Sequence, residues 1–183
     1  MIVRTLSLLA AATGLAACSG MGMGGSGNTY SQASLPDAVK VPSGHKVAME
    51  TKGTGTITYE CRAKANSPGD HEWTFIGPDA RLADRTGRQV GKYYGPPATW
   101  ESADGSKLTG TQVSTAPNGS TNIPYQLVKG NPATGPGAMQ GVTYIQRVAT
   151  MGGTAPAMTC EAAKAGQKQV VNYSADYIFY RAM

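Results

Sequence analysis

With 183 residues and a formal charge of +5 spread along its length, the chain shows no Lys/Arg cluster and no interleaving of basic and aromatic residues. That excludes the usual signature of nucleic-acid binding. Two histidines, His45 and His71, are too few for most imidazole metal centres, so no metal ion is expected.

The first line, MIVRTLSLLAAATGLAAC, joins a basic Arg4 to an apolar stretch and then to small residues before Cys18. It has the form of a secretory signal over residues 1–17, too short for a stable membrane span. Leu15-Ala16-Ala17-Cys18 resembles the lipobox of bacterial lipoproteins, which implies that Cys18 is diacylated and becomes the N-terminus, with palmitate-like chains holding the protein to a membrane. An ordinary signal peptide with a chance cysteine is the alternative. Two or three acyl chains anchor stably where one does not. Ser19, rather than an aspartate, implies sorting to the outer membrane, facing the periplasm; the cell surface or the outer face of the plasma membrane are the alternatives. Cleavage there would leave 166 of the 183 residues and, without Arg4, a side-chain charge of +4 rather than +5.

Residues 18–37 are rich in Gly and Ser and read as a flexible tether. Residues 22–27 match the letters of a GxGxxG dinucleotide fingerprint, but no strand precedes them and no helix follows, so no cofactor is expected. Residues 38–183 read as one domain of about 150 residues. Its signal is period two. Ile57, Tyr59 and Cys61 share one face while Thr56, Thr58 and Glu60 share the other; residues 142–149 and 175–180 alternate likewise. Further strands are expected at residues 46–50, 72–76, 89–93, 107–115 and 123–129, bounded by Gly, Pro and Asn. Asp104-Gly105 and Asn118-Gly119 suit tight turns. Only residues 156–165 look helical, with Gly166 placed as a cap. The expectation is an all-β fold, an antiparallel β-sandwich or barrel with at most one short helix.

With Cys18 taken by lipid, Cys61 and Cys160 form an even pair in an oxidising compartment, and a disulfide is expected between them. It would close a loop of about 100 residues, which stabilises by on the order of 4–5 kcal/mol on chain-entropy grounds. No GxSxG occurs, so serine-hydrolase chemistry has no support. Glu60, Glu72, Glu101 and Asp104 could supply carboxylates for glycoside chemistry, but their spacing fixes no geometry. The aromatic residues Trp73, Tyr93, Tyr94 and Trp100 fall within one short region. Trp73 alternates with Phe75 and reads as core. Trp100, beside Pro96-Pro97, reads either as corner packing or as an exposed stacking surface.

Several motifs occur in order: Val41-Pro42-Ser43-Gly44-His45, Tyr59-Glu60-Cys61-Arg62, Trp73-Thr74-Phe75, Gly77-Pro78-Asp79-Ala80, Val90-Gly91-Lys92-Tyr93-Tyr94-Gly95-Pro96 and Thr99-Trp100-Glu101. Ala103-Asp104-Gly105-Ser106, Val142-Thr143-Tyr144-Ile145-Gln146-Arg147, Gly152-Gly153, Cys160 and Tyr173-Ser174-Ala175-Asp176-Tyr177 follow. Over residues 38–181 this resembles the DUF3455 family of secreted proteins, whose function is unknown. Some relatives carry a malate dehydrogenase label, which the lack of a Rossmann pattern here contradicts. Pro96-Pro97-Ala98 lengthens a corner that relatives form with one proline, and tyrosines stand near position 93 where relatives often have histidine.

The functional expectation is a lipid-anchored envelope domain that binds or builds rather than catalyses. Tyr93, Tyr94, Trp100 and Glu101 are the expected contacts to a glycan, peptidoglycan or small-molecule ligand. One alternative is an envelope hydrolase using Glu101 or Glu60 as acid/base, which would show two converging carboxylates, one with a raised pKa. Another is a structural partner of an envelope complex, which would show a large exposed apolar patch.

Overall fold

Period-two alternation puts apolar side chains on one face of each strand, and that face is buried when the sheet curls and closes. The computed structural model describes residues 30–183; the signal segment, Cys18, the 22–27 match and most of the expected tether lie outside them. Eight strands follow in order: β1 His45–Ala63, β2 His71–Ala83, β3 Gln89–Tyr94, β4 Thr99–Ser102, β5 Lys107–Ala116, β6 Tyr125–Gly130, β7 Val142–Gly152 and β8 Lys168–Ala182. Each pairs antiparallel with the next, and β8 returns to β1, so the sheet is a closed barrel without a free edge. The all-β expectation holds, and of its two forms the barrel is the one adopted.

Two expected strands, at residues 46–50 and 56–61, are one continuous strand in β1. Gly53 does not break it but faces the interior, where an added Cβ would stand 2.6 Å from the Tyr177 ring. A small residue here lets the aromatic core reach the barrel wall. The expected helix at 156–165 is absent; only a three-residue 3₁₀ turn forms, Ala162–Lys164. A helix that short has a costly nucleus. Backbone hydrogen bonds tie its flank to β1 instead, from Gly166 N–H to the Cys61 carbonyl and from Cys61 N–H to the Gln167 carbonyl, both 2.9 Å. The expected disulfide is present: Cys61 and Cys160, 99 positions apart, are bonded.

The barrel is filled. Tyr93, Trp100, Leu108, Ile145, Tyr177 and Phe179 belong to one buried cluster. At the lower end, where residues 103–106 and 131–141 connect strands, Met139 turns in as a plug, 1% exposed. Its backbone N–H donates to the hydroxyl of the fully buried Ser106 (3.1 Å), whose O–H donates to Asp104 (2.6 Å). The other Asp104 oxygen accepts the Ala138 N–H at 2.7 Å. Asp104 therefore pins both loops, and Gly105, at φ +88°, makes the expected turn. These bonds, from the Ser106 hydroxyl first and then the Ala138 and Ser106 N–H groups, hold the Asp104 pKa at about 2, below its ordinary 3.8. A carboxyl with a depressed folded pKa stabilises above its unfolded pKa and loses that contribution as pH falls through the folded one. Asp104→Asn should thus lower the melting temperature at pH 7, and the gap from wild type should close between about pH 4 and pH 2. A gap independent of pH in thermal melts would refute this role.

The tether assigned to residues 18–37 overlaps a docked segment. Outward-facing Leu127, Gln146 and Tyr180 are buried because residues 31–41 lie over this part of the wall, with Val39 fully buried. The Gln146 amide donates to the Val39 carbonyl and to Gln32 Oε1, and accepts from the Tyr180 hydroxyl at 3.2 Å. Gln32 in turn bonds both the N–H and the carbonyl of Val41, at 2.8 and 2.9 Å.

Candidate functional site

The four expected contact residues sit on β3 and β4, and the register decides their directions. Tyr93 pairs with Trp100, Lys92 with Glu101 and Tyr94 with Thr99. Alternation sends Tyr93 and Trp100 inward and Lys92, Tyr94 and Glu101 outward. Trp100 is 1% exposed, stacked on Tyr93 with ring centroids 4.6 Å apart and set edge-on to Tyr177 at 6.1 Å. The four residues thus divide between two faces: Tyr93 and Trp100 pack the core, and Tyr94 and Glu101 remain at the surface. The chain between the strands, residues 95–98, contains cis peptide bonds before Pro96 and Pro97.

On the outer face Glu101 is the hub. The Tyr94 hydroxyl donates to Glu101 Oε2 at 2.7 Å. Lys92 approaches Oε1 at 3.5 Å, and Lys107, its partner on β5, approaches Oε2 at 3.4 Å. The Lys92 amine also lies 5.3 Å from the centre of the Tyr94 ring, a distance at which the π-face attracts a cation. The Tyr94 hydrogen bond lowers the Glu101 pKa most, and the charges of Lys107 and Lys92 add to it. Tyr94 is raised in return, because its proton is held by the carboxylate. Beside this cluster runs an open groove of about 400 Å³, lined by Gln89, Gly91, Lys92, Glu101, Ser102 and residues of the β4–β5 turn.

Glu60, the other carboxylate considered for acid/base work, lies on the far part of β1 and pairs with Arg62 at 3.0 Å. That bond lowers its pKa also. Both carboxylates are therefore held ionised, and Glu60 does not line the groove beside Glu101. His45 opens β1, its Nδ1 3.1 Å from the Pro42 carbonyl and its ring edge-on to Tyr144. Among the described residues no group of His, Cys, Asp and Glu is placed to hold a metal ion, and no helix is long and apolar enough to cross a membrane.

A second cavity lies inside the upper mouth, between Phe75 and Arg147. Trp73 is half-buried against the core and donates its indole N–H to the Met158 carbonyl at 2.8 Å, whereas Phe75 is 53% exposed at the rim. Reading the sequence missed Lys92 and Lys107 as partners of Glu101, and missed Arg147 altogether. The lysines could have been found by pairing β3 and β5 against β4. Arg147 gave no such signal: the alternation groups Val142, Tyr144 and Val148 as the apolar face, and only the register shift between Val142 and Tyr144 turns Ile145 and Arg147 inward.

A family model described as a protein of unknown function, DUF3455, matches residues 42–181. The chain belongs to the DUF3455 family. The matched DUF3455 segment takes in all of β1 to β7 and all but the last residue of β8, and leaves the docked residues 31–41 outside it. No curated protein and no solved structure matches the chain.

Proposed function

We propose that this DUF3455 domain is a non-catalytic binding domain of the bacterial cell envelope, anchored by acyl chains on Cys18 to the outer membrane and facing the periplasm. Its ligand, a glycan or peptidoglycan strand, lies along the outer face of β3–β4. The observation that carries the reading is the grouping of one phenol, one carboxylate and two amines beside an open groove. Aromatic faces stack on sugar rings while charged neighbours bond hydroxyl and amide groups. The Cys61–Cys160 disulfide fits an oxidising compartment. Both candidate acid/base carboxylates have lowered pKa values, the opposite of what a general acid needs near neutral pH.

Sedimentation with purified peptidoglycan and with envelope polysaccharides tests the reading. Tyr94→Ala and Glu101→Gln should each weaken retention by about tenfold or more, as expected for losing a bond to a charged group. Their stability should change by only about 0.5 kcal/mol, as at other surface sites. Full retention by both variants overturns the ligand face. In cells, Cys18→Ala should move the protein out of the membrane fraction, and persistent membrane association overturns the anchor.

A further inference from the structure

The upper mouth of the barrel collects hydrogen-bond donors that the protein leaves without acceptors. Arg147 lies on β7 opposite Tyr177 and lines the cavity together with Tyr93, Tyr173 and Tyr177. Its Nε and Nη2 both donate to the Pro124 carbonyl, at 3.2 and 3.0 Å. Among the described residues Nη1 has no acceptor and no carboxylate pairs with this guanidinium. The hydroxyls of Tyr173 and Tyr177 stand 3.1 Å apart, so one donates to the other and the second keeps a hydrogen with no protein acceptor. Among the described residues the Tyr93 hydroxyl likewise makes no hydrogen bond. Burial raises the pKa of all three phenols, so they remain protonated donors. The Gly153 carbonyl, the nearby acceptor, is already taken by Tyr59 at 2.8 Å. Asp79 is near enough for its charge to act on Tyr173 but does not line the cavity.

The remaining wall is apolar: Ile57, Pro78, Ile123 and the rim residue Phe75. The cavity is small, with room for about one water-sized group, and it opens past Phe75 at the rim. A halide or one oxygen of a carboxylate therefore enters while the rest of an acid stays outside. A partly buried cation without a counter-ion is unfavourable, and the mismatch is relieved by a group that brings negative charge and only acceptors.

We propose that the upper mouth of the barrel is a binding site for a small monovalent anion, a halide or the carboxylate head of a short organic acid, held by Arg147 and the hydroxyls of Tyr93 and the Tyr173–Tyr177 pair. One guanidinium balances one negative charge, so a sulfate or phosphate dianion is excluded by charge as well as by size. The site lies inside the barrel, apart from the Tyr94–Glu101 face, and does not rest on the role given to that face. A carboxylate with a longer body reaches it only by displacing Phe75 at the rim.

Titration of the full-length protein with sodium chloride, bromide, formate, acetate and sulfate at matched ionic strength tests the site, read by melting temperature and by ⁸¹Br or ³⁵Cl line broadening. The expected result is a saturable response to the monovalent anions, with formate competing against bromide, and none to sulfate. Phe75→Ala should admit longer carboxylates such as benzoate without weakening bromide. Arg147→Gln should weaken the response by about tenfold or more, as for loss of a charged hydrogen bond, and Arg147→Lys should retain part of it. Tyr93→Phe keeps the ring stacked on Trp100 and removes one donor; it should weaken the response several-fold and serves if Arg147→Gln does not fold. A response equal in sulfate, no saturation, or unchanged affinity in Tyr93→Phe or in folded Arg147→Gln overturns the proposal.

Discussion

Trp100→Ala is expected to destabilise the domain by about 3–5 kcal/mol, the range for deleting a large buried aromatic side chain. The indole is 1% exposed, stacks on Tyr93 and meets Tyr177 edge-on. The strands around it are hydrogen-bonded to one another on both sides, so the wall cannot collapse into the gap, and the cavity term stays large. Against the usual net stability of about 5–15 kcal/mol, that is a large share. Trp100→Phe should cost distinctly less, for a reason besides size. The indole Nε1–H is buried without a partner, an unfavourable state of about 1–3 kcal/mol that phenylalanine removes. Chemical denaturation of the two variants measures the difference. Folded Trp100→Phe should also keep full ligand retention, because the outer face is untouched. Unchanged stability with lost retention would instead make Trp100 a contact residue.

The direction of Trp100 is also where reading the sequence reaches its limit. Period two says that Tyr93 and Tyr94 face opposite ways, and likewise Trp100 and Glu101. Which pair faces inward depends on the register between β3 and β4, and a slip of one residue reverses every side chain. That register is set across residues 95–98, whose conformation local composition does not determine. The facing of β8 was legible because the strand carries its pattern within itself, with Ala175, Tyr177 and Phe179 inward. The alternation read over residues 142–149 fails, because a register shift between Val142 and Tyr144 puts both Val142 and Ile145 in the core. Closure into a barrel was not legible, because it depends on the pairing of β1 with β8, whose residues are more than a hundred positions apart. Gly53 and Gly55 looked like a break in β1 because their reason lies in the Tyr177 ring and in β2, which no local window contains. Gln32 and Gln146 failed for the converse reason. A glutamine reads as surface, and only the docking of residues 31–41 makes Gln146 fully buried. The alanines and lysine near Cys160 favour a helix locally, but the disulfide and the backbone bonds to Cys61 impose the loop.

Removing that disulfide, by reduction or by a paired Cys61→Ala, Cys160→Ala change, is expected to cost about 2–5 kcal/mol. Two contributions act, and they are separable. The crosslink spans 99 positions, so its loss frees the unfolded chain across more than half its length. This term changes no native contact, and it should raise the denaturant m-value because the open chain exposes more surface. The second contribution is local. Cys61 is fully buried, and the bond ties the β7–β8 connection to the upper part of β1. The two backbone bonds between Cys61 and residues 166 and 167, together with the Trp73 indole on the Met158 carbonyl, survive reduction. They should hold the loop in place, so the native barrel persists and the local loss is small. The expected result is therefore a lower denaturation midpoint with a steeper slope, and hydrogen exchange that quickens near residues 155–165 but not in β3 to β6. Equal midpoints with and without reductant, once alkylation shows both thiols free, would mean that the backbone bonds alone fix the loop and that the unfolded chain is compact without the crosslink.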